Sequence, residues 1–391
     1  MPDLETKPVS ELAVQVISTA EELGRLEIEW DELLAHSPGH RWFRSCLWQR
    51  TWWDVYHHGR RLELLTVRHA DGQLVGIAPF QRRTVRYRGS LPFRRWEFLA
   101  TGEDEADEID SDYLDLILRD GWERPALDRI LRHLTATGTD AWDEIVLERV
   151  PENSAIPRIL QELAPGHRLR LMETQRAAGV LVPLPRTREE FIAGMGAQSR
   201  ADYGRGKRLL AQEGELGFRW SKTAAEFQEL WPIFVALHQK RWESQDRPGC
   251  FASPLFAEFH RRVASVAAAQ GNARIAMLSV NGQPVAACYL FLSDGVVYHY
   301  QSGLDLRYGP KSSPGMTLIG HCLDAAIAEG LRTWDFLHGT QRYQRFWSKE
   351  RQQQVSWRLS RPGPRETFRQ LCEKTRSLVK RCLRQPPPGP S

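Results

Sequence analysis

An internal repeat constrains this chain more than any other feature. The run Leu64-Leu-Thr-Val-Arg-His-Ala-Asp71-Gly72-Gln73 leads into an apolar stretch at 74–80, and Ile275-Ala-Met-Leu-Ser-Val-Asn281-Gly282-Gln283 leads into another at 284–291. Asp-Gly and Asn-Gly supply the positive φ angles of a tight turn, so each segment reads as a β-hairpin. After each hairpin the same order recurs: a strand (95–100; 296–303), an irregular loop, a helix, and a strand holding Trp-Asp (Trp142-Asp143; Trp334-Asp335). Helical periodicity also precedes each hairpin, at 23–34 and from the Thr223–Glu226 capping box through Phe227, Leu230, Phe234 and Leu237, where Pro232 is expected to kink or divide the helix. Strands and helices alternating in this way, twice over, predict an α/β (α+β) protein of two mixed sheets flanked by helices. The 391 residues suit two domains. The expected division is a disordered start at 1–11, a first unit at 12–165, a proline-punctuated connecting segment at 166–186, a second unit at 187–360 and a tail at 361–391.

Charge is nearly balanced, with 53 Lys and Arg against 49 Asp and Glu, but it is unevenly placed. Eight basic residues and two acidic ones fall between 361 and 384, a local excess of +6 that leaves the remainder near −2. One basic tail does not make a nucleic-acid-binding protein. The segment 366–384, with Phe368, Leu371, Leu378, Val379 and Leu383, is expected to dock on the domain or lie solvated, with weak contact to an anionic membrane surface as the alternative. The closing Pro-Pro-Pro-Gly-Pro-Ser is expected to be disordered. The first residues lack the apolar core of a signal peptide, and no run approaches the ~20 apolar residues that span a bilayer, so a cytoplasmic location is expected. Six cysteines lie far apart, without the close pairs of zinc or redox sites, and read as reduced packing residues with no metal.

The most informative segment is Tyr308-Gly309-Pro310-Lys311-Ser312-Ser313-Pro314-Gly315-Met316-Thr317. Ser313 suits the N-cap, Pro314 the first helical position and Gly330 the stop, which predicts a helix over 314–329. Such a helix start offers unpaired N–H groups and partial positive charge, and Gly315 lets a phosphate approach the backbone. Arg307 and Lys311 add positive charge beside it, so the turn reads as a pyrophosphate cradle; the same small residues also open helices that bind nothing. The loop at the matching place in the first repeat, 103–112, holds seven acids and no base. It would repel a polyphosphate, and reads either as a solvated acidic loop or as an attractor of a cationic amine.

Residues 190–350 resemble the acetyltransferase domain of the CelD/BcsL-like family, a branch of the GNAT superfamily related to Fem-type aminoacyl transferases. The resemblance is carried by Ser199-Arg200…Arg205-Gly-Lys207-Arg208-Leu, Leu237-His238-Gln-Lys-Arg241-Trp242, Asn281-Gly-Gln-Pro-Val-Ala-Ala, Tyr300-Gln301-Ser302-Gly303-Leu-Asp305, Ser313-Pro314-Gly315 and Trp334-Asp335-Phe336-Leu-His-Gly339…Tyr343. The first half matches more loosely, through Trp48…Trp52-Trp53, Gly76-Ile-Ala-Pro79 and Ser111-Asp112-Tyr113-Leu-Asp115. The resemblance implies a tandem GNAT-like fold and an N-acyltransferase, with acetyl-CoA or another acyl-CoA as co-substrate in the second unit. Pantetheine would run along Gln301, Ser302 and Gly303, and the pyrophosphate would meet Arg307, Lys311, Ser312, Ser313, Gly315 and Met316.

Acyl transfer to an amine requires a neutral amine, a stabilised oxyanion and a proton for the departing thiolate. By the resemblance Tyr343 is the acid candidate, though a Tyr beside Phe346 and Trp347 also suits simple packing. Asp335 would orient or deprotonate the amine, or else cap a turn. Asp112, His238 and Trp242 are candidate acceptor-binding residues, with a buried structural role the alternative for His238. Gln344 follows Tyr343 where relatives often have Lys. The expected acceptor is an amine of a small molecule or of an envelope or polysaccharide precursor. Transfer from aminoacyl-tRNA and a catalytically degenerate scaffold are the rival readings, and the oligomeric state is open.

Overall fold

The computed structural model describes residues 11–87, 91–136, 142–308 and 312–373. The first unit runs β1 (Leu12–Ile17), α1 (Ala20–Arg25), α2 (Glu27–Ala35), α3 (Cys46–Tyr56), β2 (Arg61–Leu62), β3 (Leu64–His69), β4 (Leu74–Ala78), β5 (Phe80–Tyr87), β6 (Leu91–Phe98), β7 (Ile117–Leu118), α4 (Glu123–Ala136), β8 (Glu144–Pro151) and α5 (Ile156–Leu163). The second runs β9 (Arg170–Pro183), α6 (Arg188–Gly194), α7 (Ala197–Gln212), β10 (Leu216–Trp220), α8 (Ala224–Glu243), α9 (Pro254–Ala269), β11 (Ala273–Val280), β12 (Gln283–Ser293), β13 (Val296–Leu304), α10 (Pro314–Ala328), β14 (Thr333–His338), α11 (Arg342–Trp347) and β15 (Arg351–Ser360).

Both hairpins form, by different turn chemistry. Asn281 and Gly282 take φ of 47° and 74°, whereas at the first turn Gly72 has φ 92° and the Asp71 side chain instead accepts from the Gln73 amide at 2.8 Å. The 23–34 periodicity resolves into α1 and α2, which meet at Leu26. Pro232 lies inside α8 without dividing it, and the Thr223–Glu226 capping box forms at its start. The strand expected at 95–100 is β6, which begins at Leu91 and pairs with β5.

Two sheets result, but their border is not the border between the repeats. A small antiparallel sheet has the order β1-β3-β4-β7; a mixed sheet of eleven strands has the order β10-β11-β12-β13-β14-β9-β15-β8-β6-β5-β2 and crosses both units. Pro79 marks the passage of the chain from the small sheet to the large one, as expected of a residue that cannot donate to a ladder. The stretch expected to connect the units, 166–186, holds β9, which pairs with β14 on one side and β15 on the other. β15 in turn pairs with β8 of the first unit.

Each repeat contains one short parallel ladder. β13 and β14 pair only at Val296–Thr333, Val297–Trp334 and Tyr298–Asp335, and β6 and β8 only at Arg95–Glu144, Trp96–Ile145 and Glu97–Val146. Beyond Tyr298 and Asp335 the two strands carry no further paired residues. One face of the second unit's sheet packs on α8, α9 and aromatic residues of the first unit: Trp42 stacks on Phe291 with centroids 4.4 Å apart, and Trp48 meets Tyr300 at 5.9 Å. The other face packs on α6, α7, α10 and α11 through Leu210, Leu318, Cys322, Leu323 and Trp347. After β15, residues 364–373 are helical and dock on the first unit. Arg369, 3% exposed, pairs with Glu144 and Glu366 and lies over the Phe93 ring, while Phe368 and Leu371 point outward. Residues 374–384 of the expected basic segment lie outside the described residues. Among those described, no helix is long and apolar enough to cross a membrane.

Candidate functional site

A β-bulge builds the site. Tyr289 of β12 pairs with Gln301 and Leu290 with His299, so Tyr300 is an extra residue in β13. In a regular strand residues three apart point to opposite faces. The bulge restores phase, so His299 and Ser302 share the α10 face, with His299 Nε2 only 2.6 Å from Ser302 Oγ. Ser302, Leu304 and Cys288 then line a cavity of about 310 Å³, closed by Gly315 and Met316 at the start of α10 and by Tyr343 of α11. Arg241 of α8 also reaches this wall. A second, wider cavity of about 820 Å³ shares Ser313, Met316 and Tyr343 with the first and is flanked by Tyr203 and Arg205 of α7 and Arg342.

The mouth between the two cavities is the N-terminus of α10. Ser313 occupies the N-cap position in the left-handed region (φ 38°, ψ 64°), its side chain makes no capping hydrogen bond, and Pro314 has no N–H to offer. The first carbonyl-bonded amide is Thr317, donating to Ser313 at 3.1 Å. The amides of Gly315 and Met316 therefore lack intrahelical acceptors, at the positive end of a 15-residue helix. A Cβ on Gly315 would stand 3.1 Å from Leu304, so the residue is small where the cavity is narrow. Asp305, 2% exposed, gathers Arg307 and Lys240 beside this mouth. Hydrogen bonding from Arg307 holds its carboxyl well below the usual range. Arg307 itself is mostly exposed, Ser312 lies in the turn leading to the helix, and Lys311 lies outside the described residues.

Several expected site residues fall on the opposite face of the sheet. Gly303 does not line the cavity: a Cβ there would stand 2.6 Å from the His238 amide nitrogen, so its role is to let α8 lie close on β13. Gln301 faces His238. His238 is fully buried, accepts from Trp242 Nε1 at 3.0 Å and stands 3.5 Å from Cys250 Sγ; burial lowers its pKa. Trp242 is covered by Arg241 and Arg247. Asp335 is sealed between the units: it accepts from Tyr113 OH at 3.0 Å and from the Leu337 amide at 2.7 Å, and burial pushes its pKa up to about 7. The placement of Asp335 follows from β14 alternation, which sends Trp334 and Phe336 toward α10 and Asp335 the other way.

Asp112 is likewise fully buried, and its partners are Arg149 at 2.9 Å and His338 at 3.2 Å. Burial alone would raise its pKa, but His338 and Arg149 hold it at about 2. Much of the acidic loop of the first repeat is thus paired within the protein. Arg149 also binds Glu108 and Asp110, Trp52 donates to Glu103, and Ser253 of the second unit donates to Asp107. Asp104, Glu105 and Glu108 remain exposed, while the cation that Glu108, Asp110 and Asp112 gather is the chain's own Arg149.

Tyr343 stands at the junction of the two cavities, with its ring edge-on to Phe336. Burial raises its pKa, so the phenol keeps its proton at neutral pH. Gln344, the departure from the family pattern, is buried and accepts from the Gln341 amide at 2.7 Å, fixing the start of α11. The residues that the motifs did not single out are Cys288 in the cavity wall, His299 behind it, and Tyr203 beside the wider cavity. Only the alternation along β12 and β13 pointed to the first two, and the bulge that aligns them leaves no mark in the sequence. Among the described residues, no cluster of His, Cys, Asp and Glu could hold a metal ion.

Residues 197–345 match the Acetyltransferase (GNAT) domain family. No curated protein matches the chain. Among solved structures the chain resembles FemX at 10% identity and TM-score 0.58, covering 88% of this chain and 96% of that one. It also resembles a conserved protein of unknown function from Bacteroides thetaiotaomicron at 11% identity and TM-score 0.53, covering 89% and 100%. A third is the C-terminal domain of a putative lysylphosphatidylglycerol synthetase from Agrobacterium fabrum, at 8% identity and TM-score 0.50, covering 89% and 95%. Identities this low show a shared fold, which extends over both units.

Proposed function

From the GNAT acetyltransferase domain at 197–345, which makes the chain an acyltransferase, we propose that it moves an acetyl or similar acyl group from acyl-CoA to an amine by direct attack. The observation that carries this is the start of α10, whose Gly315 and Met316 amides lie at the helix's positive end, standing over the cavity formed by Ser302, Cys288 and Tyr343. A diphosphate at that helix end would accept from the Gly315 and Met316 amides, and pantetheine would thread the 310 Å³ cavity. Amine attack on the thioester carbon gives a tetrahedral oxyanion, which falls to backbone N–H groups at 301–303 beside the bulge. Collapse breaks the C–S bond, and Tyr343 gives its phenolic proton to the thiolate.

The acceptor is an amine of a small molecule or of an envelope or polysaccharide precursor. The CelD/BcsL-like motifs support this assignment, as they support a cytoplasmic site of action where acyl-CoA is available. Titration calorimetry with acetyl-CoA tests the reading. Micromolar binding, lost in Gly315→Trp and Lys311→Glu with the circular dichroism spectrum unchanged, is the expected result. The rivals separate in the same experiment: a scaffold binds no acyl-CoA, and an aminoacyl-tRNA-dependent enzyme binds charged tRNA instead.

A further inference from the structure

Resting on the acyl-CoA reading, we infer that Ser302 and His299 form the proton relay that deprotonates the attacking nucleophile, with Ser302 as the catalytic residue and His299 as the positioning base behind it. The reaction must release one proton from the amine, and the carboxylate expected to take it, Asp335, points to the other face of the sheet and is closed off by Tyr113 and the Leu337 amide. On the cavity face, Ser302 Oγ is 2.6 Å from His299 Nε2, and Ser302 lines the chamber. His299 is 5% exposed and does not line the chamber itself, so it acts through the serine. Among the described residues its Nδ1 has no hydrogen-bond partner, and the ring also faces the Cys288 thiol. Trp334 and Phe336 ring centroids lie 5.5 and 5.3 Å from the imidazole and hold its plane in place. The other titratable groups around the relay are Cys288 of β12, with Sγ 3.8 Å from Ser302 Oγ, Cys322 of α10 behind it, and Tyr343 of α11.

The step balances. The amine nitrogen bonds to the acyl carbon and its proton passes to Ser302 Oγ, while the serine proton passes to His299 Nε2. The C–S bond breaks, the electron pair leaves on sulfur, and the Tyr343 proton neutralises it. Imidazolium and phenolate are then reset through solvent once the free thiol departs.

The test uses the full chain, acetyl-CoA and hydroxylamine as a small amine acceptor, with free thiol as the readout. Ser302→Ala and His299→Gln are each expected to bind acetyl-CoA within about twofold of the unmodified chain by calorimetry. Both are expected to release thiol at least ~100-fold more slowly. The rise of rate with pH should flatten in His299→Gln, and Ser302→Thr, which keeps the hydroxyl, should restore most of the rate. Unchanged rate and pH profile in variants that still bind acetyl-CoA would overturn the relay while leaving the donor assignment standing. Absence of acetyl-CoA binding by the unmodified chain would remove the donor assignment and the relay together. If Ser302→Ala does not fold, a Ser302→Thr variant that folds and binds but stays inactive also overturns the relay.

Discussion

At the scale of single residues, one side chain's surroundings decide whether its proton is available. Tyr343→Phe keeps the ring that packs on Phe336 and removes only the hydroxyl, so turnover should fall ~10²–10⁴-fold with acetyl-CoA affinity unchanged, as measured by thiol release and calorimetry. Asp335 has its folded-state pKa raised to about 7 by burial. A carboxyl raised in the folded state stabilises the fold while protonated and loses that contribution as pH climbs from the ordinary range near 4 through 7. The loss is at most about 4 kcal/mol, from roughly three pKa units. Asp335→Asn keeps an acceptor for Tyr113 and Leu337 but cannot ionise. Urea unfolding should therefore show it gaining on the unmodified chain between pH 5 and pH 8. Residue types were partly legible in advance. Tyr343, Ser302, Ser313, Gly315 and Met316 meet at one cavity, whereas Asp335, His238 and Gly303 lie on the opposite face of the sheet, Asp335 by β14 alternation and His238 because α8 packs there against Gly303.

At the scale of elements, glycines report where backbones touch. Gly303 meets the α8 backbone, with a Cβ 2.6 Å from the His238 nitrogen, so Gly303→Ala should push α8 off β13 and cost about 1–3 kcal/mol by chemical denaturation. Gly204 in α7 has nothing within 4 Å of a Cβ, and Gly204→Ala should stabilise by about 0.5–1 kcal/mol, from helix propensity alone. Opposite signs for the two are expected, and equal effects would refute the packing account. The helix at 314–328 was readable because its start, stop and apolar stripe are local. The ends of β6 and the split of 23–34 into α1 and α2 were not, since they depend on pairing with β5 and on how Leu26 packs. Non-glycine residues in the left-handed region, Asp110, Tyr113, Arg149 and Leu337, gather where the two units meet. No periodicity announces such positions.

At the scale of the whole molecule, the repeat forecast two similar units correctly in kind, but not that their strands would merge. β9 and β15 lie at the centre of the large sheet, and the Tyr298–Tyr300 face of β13 is covered by His40, Trp48 and Tyr113 of the first unit. A fragment spanning 187–391 would lack β9 and expose that aromatic face. It is expected to show no cooperative thermal transition by circular dichroism, where the full chain shows one.

Eleven strands joined edge to edge also set what this enzyme is able to do with its shape. Opening the halves like jaws would mean tearing the ladders that tie β15 to β8 and β9, so capture cannot depend on a hinge between them. Adjustment is left to the rim, where α7 and α11 border the wider cavity. A spin-label pair placed one in each half should hold its spacing when acetyl-CoA arrives, while a pair across α7 and α11 should draw together.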